Sequence, residues 1–285
     1  MKGLRRKTGN DVNSTGDIYS KQPVSIHGLI PVFSTRNEYI ENYEKIARDH
    51  LRGVSDTCSN PWIEEESWEI LENSTHELIV KWAPPGARIL DVGVGLGRLL
   101  NMLPEYERYG MDIAIPYLEI AREKGIEVCM AMVEDMPYKD SFFDIVICTD
   151  VLEHVLNFNL SVQKILNVLK PGGILIIRVP YKERLDSYLS DEYPYYYVHI
   201  RSFDEHSLIL HFTRCFKCKV LEFNKTLYLA NEDRFKYHLP TKFNSRIQSK
   251  FLKLTRKILP KRYLSMLKVL VEPTCINMAL QKIND

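Results

Sequence analysis

The sequence of 285 residues predicts an α/β fold, in which a doubly wound and mostly parallel sheet of seven strands carries helices on both faces. Two observations support this prediction. Between residues 83 and 229, short apolar runs alternate with helical segments, and each run is apolar at consecutive positions rather than at every second one. Strands that are apolar on both faces and separated by helices are typical of a parallel sheet covered on both sides.

The N-terminal part of the chain precedes this alternating pattern. Residues 1–36 are polar and turn-rich without a sustained period, so we expect a loose arm. Residues 37–82 are predicted to form N-terminal cap helices, one over 37–51 and one over 64–82, the second ending before a Pro-Pro-Gly run. The first helix has an apolar stripe at helical spacing, made of Tyr39, Ile40, Tyr43, Ile46 and Ala47.

Residues 83–229 are predicted to form the core. Five of its strands are expected at 88–93, 106–113, 126–132, 142–150 and 173–180. Helices are expected between and after them, at 97–102, 115–124, 159–169 and 202–212.

The last two predicted strands lie on either side of an insertion. They cover 218–229 and 274–283, the second within the closing segment 273–285, and they fit an antiparallel pair at a sheet edge. Residues 230–272 between them are predicted to form a basic helical insertion.

Composition excludes several classes of protein. The 38 Lys and Arg residues almost cancel the 37 Asp and Glu residues, so overall charge favours neither a nucleic acid nor an acidic partner. No apolar run approaches the roughly 18 residues that suggest a membrane span. The basic N-terminus lacks the apolar region of a signal peptide, and Cys129 and Cys148 sit inside apolar runs, as reduced cysteines often do. We therefore expect a cytoplasmic protein.

A glycine-rich turn follows the first core strand. Gly93, Gly95 and Gly97 stand between a buried strand and a helix, and glycine provides the positive φ and bare backbone that let a ligand lie against a turn. Asp112 ends the second strand, where an acid can accept both hydroxyls of a ribose, and ligands of parallel sheets bind at this edge. A dinucleotide site requires GxGxxG, but Arg98 occupies the place of its third glycine.

The run ILDVGVGLG, which has Asp91 inside the strand, resembles motif I of the class I S-adenosylmethionine-dependent methyltransferases. Three later stretches resemble further motifs of the family in the same order, namely YGMDIAIPYLEIAREKG, VEDMPYKDSFFDIVICTDVLEHV and LKPGGILIIRVP. The resemblance covers about residues 80–212. It implies a Rossmann-like fold, S-adenosyl-L-methionine as the cofactor and methyl transfer as the activity.

The same resemblance implies which residues contact the cofactor, with Asp112 as the ribose acid. Where the family often has Gly-Asp-Ala-Glu, this chain has Ala131 to Glu134, so Met132 could pack on the adenine ring and Glu134 or Asp135 could accept its amine. The predicted contacts are Asp91, Gly93, Val94, Gly95, Gly97, Asp112, Ile113, Val133, Glu134 and Thr149.

The end of the fourth core strand carries the predicted catalytic residues. Asp150, Glu153 and His154 are spaced i, i+3 and i+4, which places them on one side of a helical turn. An alcohol acceptor must lose its proton, and imidazole titrates near neutral pH, so His154 is the first candidate for a general base.

A divalent-metal site is a second interpretation of these residues. They resemble the acid-x-x-Glu-His run of the plant small-RNA terminal 2′-O-methyltransferases and of some ubiquinone-pathway O-methyltransferases, and His199 matches a later histidine of those proteins. That resemblance implies an ion held against vicinal hydroxyls, yet LEHV also occurs in members that bind no metal. We predict His154, Glu153, Asp150 and His199 as catalytic residues and do not predict a metal.

Two further segments suggest what the acceptor is. The loop after the fifth core strand is rich in tyrosine (Tyr188, Tyr193, Tyr195, Tyr196 and Tyr197), which suits a sugar or a planar acceptor, although such a loop can also pack on itself. In the insertion, a helix over Arg246–Arg262 combines basic residues with an apolar stripe. Such a helix docks on its own domain, on an anionic membrane surface or on a lipid-linked substrate; we do not expect nucleic acid.

The leading hypothesis is a methyltransferase that acts on a small-molecule acceptor at a sugar or phenol hydroxyl. An RNA-modifying methyltransferase and a non-catalytic module that binds the cofactor or a partner remain alternatives.

Overall fold

The computed structural model describes residues 18–57, 60–229, 250, 265, 268–269 and 271–283. The strands of these residues are β1 (Ser25–His27), β2 (Ile30–Val32), β3 (Arg88–Val92), β4 (Glu107–Asp112), β5 (Glu127–Met130), β6 (Phe143–Thr149), β7 (Leu169–Pro180), β8 (Cys218–Thr226) and β9 (Cys275–Lys282). They form one sheet in the order β1-β2-β5-β4-β3-β6-β7-β9-β8. Strands β2 to β7 run parallel to their neighbours within that set, which confirms the predicted α/β fold.

The helices agree with the predicted segments. They are α1 (Glu38–Thr57), α2 (Glu65–Trp82), α3 (Arg98–Asn101), α4 (Ile115–Glu123), α5 (Phe158–Val168) and α6 (Glu205–Leu210). The side-chain carbonyl of Asn37 accepts from the Ile40 backbone N–H at 2.9 Å, which fixes the start of α1. Helix α6 begins with a capping box between Asp204 and Ser207 and continues as a π-helical turn over His211–Cys215.

The core packs on both faces of the parallel strands. Successive residues of β3 belong to different apolar clusters, Ile89 to one and Leu90 and Val92 to the other. In β6 the same division separates Ile145 from Val146. This alternation explains why the strands are apolar at consecutive positions.

The strand count differs from the prediction, because the sheet has nine strands rather than seven. The two extra strands, β1 and β2, form a hairpin inside the segment that was expected to be a loose arm, with its turn at Gly28 and with Val32 paired to Met130 of β5. Each strand has three residues, which is too short for a period to be visible in the sequence. Buried side chains of Tyr19 and Phe33 anchor the segment.

The chain ends as predicted, since β9 pairs antiparallel with both β7 and β8, and β8 lies at the edge. Residues 1–17 of the expected arm lie outside the described residues, as does nearly all of the basic insertion, including the expected helix over 246–262 apart from residue 250.

Among the residues that are described, no helix combines the length and the apolar character needed to cross a membrane.

The order of the strands determines where a ligand can bind. From β3 the chain passes to β4 and β5 on one side and then to β6 and β7 on the other, so the direction of winding changes between β3 and β6. Ligands of open α/β sheets bind at such a point, beyond the carboxyl ends of the strands.

Candidate active site

A cavity of about 670 Å³ lies at this point. Its walls come from the turns after β3, β4, β5 and β6, and it is covered by α1 and by the tyrosine-rich loop after β7. This volume is in the range of small-molecule sites.

The glycine turn provides one wall of the cavity. Gly93 and Gly95 line it with φ values of +79° and +49°. A Cβ atom on Gly93 would lie 2.2 Å from Cγ2 of Val151, whereas one on Gly95 would meet no atom within 4 Å. The space beside Gly95 is therefore open to a ligand, while Gly93 is required by the packing of the protein itself.

Gly97, predicted as a cofactor contact, does not line the cavity. A Cβ atom there would lie 2.5 Å from Ile126 Cδ1 and 3.1 Å from Ala121 Cβ. Gly97 instead allows the turn to approach the neighbouring helix and strand. This is the packing role that the third glycine has in a dinucleotide site, reached here one position earlier.

Asp112 lies at the end of β4, facing the glycine turn. Its Oδ2 accepts from the Gly95 N–H at 3.0 Å, and its Oδ1 accepts from the Ala114 N–H at 2.9 Å. Burial raises the pKa of Asp112, and the backbone N–H groups partly oppose this. The carboxylate also lines the cavity, where it can accept from ligand hydroxyls.

Asp91 lies deeper, beneath the glycine turn. Its Oδ1 is buried and has no hydrogen-bond partner among the described residues. Burial raises the pKa of Asp91 well above its usual value, although Arg178 lowers it. A buried carboxylate oxygen without a partner beside a cavity is a suitable acceptor for a cationic ligand group.

The turn after β5 forms another part of the cavity wall. Met132, Val133 and Glu134 line it, and Ile113 and Val94 lie nearby. Asp135 is turned away, since it accepts a hydrogen bond from Ser34 at 2.7 Å. Of the two acids that could accept the adenine amine, only Glu134 faces the cavity, where it also accepts from the Asn157 N–H at 3.1 Å.

Asp150, just after β6, makes different contacts from the other predicted catalytic residues. Asp150, with φ +55°, pairs with Arg178, whose Nη2 lies 2.5 Å from Asp150 Oδ2. Arg178 is buried on β7 and also donates to Thr75 at 3.1 Å. Thr149 and Asp150 line the cavity, but Asp150 is engaged in this ion pair and is not part of the group formed by Glu153, His154 and His199.

Glu153, His154 and His199 do come together. Their ligand atoms all lie within 4.8 Å of one another, close enough to surround an ion. Neither oxygen of Glu153 has a hydrogen-bond partner in the described part of the chain, and burial, followed by Asp150, raises its pKa well above the usual value. Glu153 lies behind the cavity wall, whereas both histidines line the cavity.

His154 contacts α1. Its Nδ1 shares a hydrogen bond of 2.8 Å with the Tyr43 hydroxyl, and its backbone carbonyl accepts from Tyr39 at 3.2 Å. Burial, followed by His199, lowers the pKa of His154 to about 3. The imidazole is therefore neutral at physiological pH and is a weaker base than the sequence alone predicts.

The tyrosine-rich loop closes the cavity opposite the glycine turn. Tyr188, Tyr193, Tyr195 and Tyr197 line it, whereas Tyr196 is exposed. Asn42 of α1 holds the loop, because its side chain donates to the Tyr197 carbonyl and accepts from the N–H groups of Tyr196 and Tyr197, at 2.9 to 3.2 Å.

Four residues of this site were not predicted from the sequence. Tyr43 was placed on the apolar stripe of α1, with no role at the site, and Arg178 is a charge inside an otherwise apolar strand, which was a usable signal. Asn42 carried no sequence signal, because its partners lie more than 150 residues away. Glu183, which bonds His199 and Tyr188 within the loop after β7, carried none either.

Comparison with known proteins finds similarity in the central part of the chain. Residues 90–177 match the family described as a methyltransferase domain. The chain is 36% identical over 109 residues to a tRNA (carboxymethyluridine(34)-5-O)-methyltransferase of Arabidopsis thaliana, covering 37% of this chain and 27% of that protein. It is 30% identical over 100 residues to a ubiquinone biosynthesis O-methyltransferase of Chelativorans sp., covering 32% and 40%. The chain thus spans less than half the length of each.

Among solved structures, the chain resembles an S-adenosylmethionine-dependent methyltransferase of Thermotoga maritima that is described as a possible histamine N-methyltransferase. The TM-score is 0.54 with 19% sequence identity, covering 86% of this chain and 99% of that one. At this identity the likeness establishes the fold.

Proposed function

We propose that this chain, which carries a class I S-adenosylmethionine-dependent methyltransferase domain, transfers the methyl group of that cofactor to a hydroxyl of a small acceptor, a sugar or a phenol. The supporting observation is the contrast between the two ends of one cavity. One end, here called the cofactor end, has the glycine turn and carboxylates. The other, the acceptor end, has the tyrosines and two histidines.

The residues present fit the cofactor. The open space at Gly95 admits a ligand against the backbone, Asp112 can accept from the ribose hydroxyls, and the unpartnered oxygen of Asp91 suits an ammonium group. When bound, S-adenosylmethionine supplies a methyl group that its positively charged sulfur has already activated. The protein then has to align the acceptor, exclude water and take up a proton.

The predicted contacts divide along the cavity. In this proposal Gly93, Val94 and Gly95 hold the amino-acid part of the cofactor, and Asp112 and Ile113 hold the ribose. The adenine lies among Met132, Val133 and Glu134, whereas Thr149 lies near the transferred methyl group. Asp150 neutralises the buried Arg178 and so supports the wall of the site without meeting the acceptor.

The described lining of the cavity has no arginine or lysine without an acidic partner. The arginines of the cavity lining both have acidic partners, Arg98 in Glu72 and Arg178 in Asp150, so the described part of the lining offers no cation for a phosphate. Tyrosine rings and phenol hydroxyls instead favour a neutral ring that bears hydroxyls.

RNA is the second candidate acceptor, because the chain is related in sequence to a protein named as a tRNA methyltransferase. An RNA acceptor would need basic groups at the mouth of the cavity. The basic insertion could supply them, but it lies outside the described residues.

The test has two steps. Calorimetry should detect binding of S-adenosylmethionine and S-adenosylhomocysteine but not of NAD. Release of S-adenosylhomocysteine should then be measured with catechol, methyl glucoside, a primary amine and total tRNA, each with and without a chelator. Turnover with catechol or the glucoside that survives chelation is the expected result. Turnover with tRNA alone would support the second candidate, and turnover lost on chelation would contradict the prediction of no metal.

A further inference from the structure

Glu183 connects two side chains of the loop that covers the acceptor end. Its Oε2 lies 2.5 Å from Nδ1 of His199, and its Oε1 accepts from the Tyr188 hydroxyl at 2.9 Å. Because both oxygens have partners, the carboxylate is fixed in position. The side chains of His199 and Glu183 are 23% and 19% exposed, so water reaches this pair only partly.

The partner of Nδ1 determines which nitrogen His199 offers to a ligand. A carboxylate accepts hydrogen bonds, so Nδ1 carries the proton and Nε2 keeps a lone pair. His199 lines the cavity and Glu183 does not. Because Nδ1 is bonded to Glu183, Nε2 is the nitrogen that His199 can offer to a ligand in the cavity.

His154 is bonded differently, although its ring centroid is only 4.3 Å from that of His199. Its Nδ1 is bonded to Tyr43, and the imidazole also makes a hydrogen bond to the backbone of Val198. Its hydrogen-bond partners thus include no carboxylate among the described residues, so nothing in the described part of the chain places a negative charge behind its ring as Glu183 does behind His199.

We propose that His199 accepts the proton of the acceptor hydroxyl, and that Glu183 and Tyr188 are positioning residues for it. This rests on the proposed transfer to a hydroxyl. The O–H bond breaks as its proton moves to Nε2, and the oxygen lone pair forms the bond to the methyl carbon while the electrons of the broken carbon–sulfur bond stay on sulfur. The imidazolium that results is balanced by Glu183 and later returns its proton to water.

The first test needs no acceptor. The full chain is labelled with ¹⁵N-histidine, and two-bond ¹H–¹⁵N spectra are recorded with His199→Gln to assign the signal. The wild-type protein should show His199 with its proton on Nδ1, and Glu183→Ala should move it to the more common Nε2 form. A wild-type His199 protonated on Nε2, or a signal that changes on chelation, would overturn the proposal.

The second test is turnover with catechol and p-nitrophenol, followed as S-adenosylhomocysteine release. His199→Gln should lower kcat with catechol by about 100- to 10,000-fold. Glu183→Gln should lower it by roughly 10- to 100-fold, as expected for one charge-assisted hydrogen bond. Both losses should be smaller with p-nitrophenol, because this more acidic phenol depends less on a base. Cofactor affinity should stay within about twofold of wild type, since neither side chain touches the cofactor end.

Glu192→Gln is the matched control, because this exposed acid lies in the same loop and should leave turnover unchanged. If the wild-type protein turns over catechol and His199→Gln does so equally well, the assignment of the base is wrong while methyl transfer stands. If the cofactor binds but neither probe is methylated, the proposed acceptor class is wrong, and the tautomer spectra alone decide whether Glu183 holds His199 as proposed.

Discussion

The two ends of the cavity are built in different ways. At the cofactor end, Asp112 accepts from backbone N–H groups close in sequence, Gly95 across 17 residues and Ala114 across 2. At the acceptor end, side chains of α1 meet partners far along the chain. Tyr43 and His154 are 111 residues apart, and Asn42 and Tyr197 are 155 residues apart.

The two ends of the cavity therefore depend on different parts of the fold. The cofactor end depends on the geometry of the glycine turn after β3 and on the Asp112 carboxylate at the end of β4. The acceptor end depends on α1 and the tyrosine-rich loop remaining docked over the sheet. Substitutions should therefore affect folding and cofactor affinity at the first end, and loop order and turnover at the second.

The largest effect is expected at Gly93. Gly93→Ala places a Cβ atom 2.2 Å from Val151 and at positive φ, so it should destabilise the fold by about 2–5 kcal/mol. Urea unfolding of the protein without ligand measures this loss.

Gly95→Ala is the matched variant, since it has the same positive φ but no atom within 4 Å of the added carbon. It should cost only about 1 kcal/mol in folding and should instead weaken cofactor binding by roughly 5- to 150-fold, as an added methyl group does in a filled site. Equal stability losses in the two variants would contradict the assignment of the open space to a ligand.

The same contrast explains what the sequence could predict. The strands, the helices and the glycine turn were predictable because each depends on neighbours in the chain. The pairing of Asp150 with Arg178, the role of Gly97 in packing and the hydrogen bond between Tyr43 and His154 each depend on which elements lie side by side. The β1–β2 hairpin was missed because three-residue strands have no detectable period, and it matters since Ser34 after it holds Asp135 and the Met132 backbone.

The next effect concerns Asp112. Asp112→Ala removes a carboxylate that can accept two hydroxyls, so S-adenosylhomocysteine affinity should fall by roughly 30- to 1000-fold, or about 2–4 kcal/mol. Calorimetry measures this, with Asp140→Ala as a control, since this exposed carboxylate does not line the cavity. Unchanged affinity in Asp112→Ala would remove the basis for the cofactor end.

A smaller effect is expected at Asn42, which belongs to the acceptor end. Asn42→Ala removes three hydrogen bonds to the loop and should cost about 1–3 kcal/mol of local order. Amide exchange of residues 193–199 should speed up by roughly 5- to 150-fold, while cofactor affinity stays unchanged. The exposed Asn101→Ala on α3 is the control. Loop exchange that matches the control would mean that Asn42 does not hold the loop.

The smallest effect is a change of folding stability with pH, to which Glu153 and His154 contribute in opposite directions. Burial raises the pKa of Glu153, so the folded chain keeps a proton that the unfolded chain loses, and this group reduces stability as the pH rises above the ordinary carboxyl value. His154 acts in the other direction, since burial lowers its pKa to about 3 from the ordinary value of 6.5.

Between pH 3 and pH 6.5 the unfolded chain binds a proton at His154 that the folded chain does not. The stability from His154 is therefore fully present above pH 6.5 and is lost progressively as the pH falls towards 3. From pH 7.5 to 5.5 the loss should be about 1.4 kcal/mol. His154→Gln removes the titrating group but leaves Glu153 in place, so the difference in unfolding free energy between wild type and variant should shrink by that amount over the same interval. A difference that does not change with pH would mean that His154 is not held neutral beneath α1, and the two histidines would then be equally available as bases.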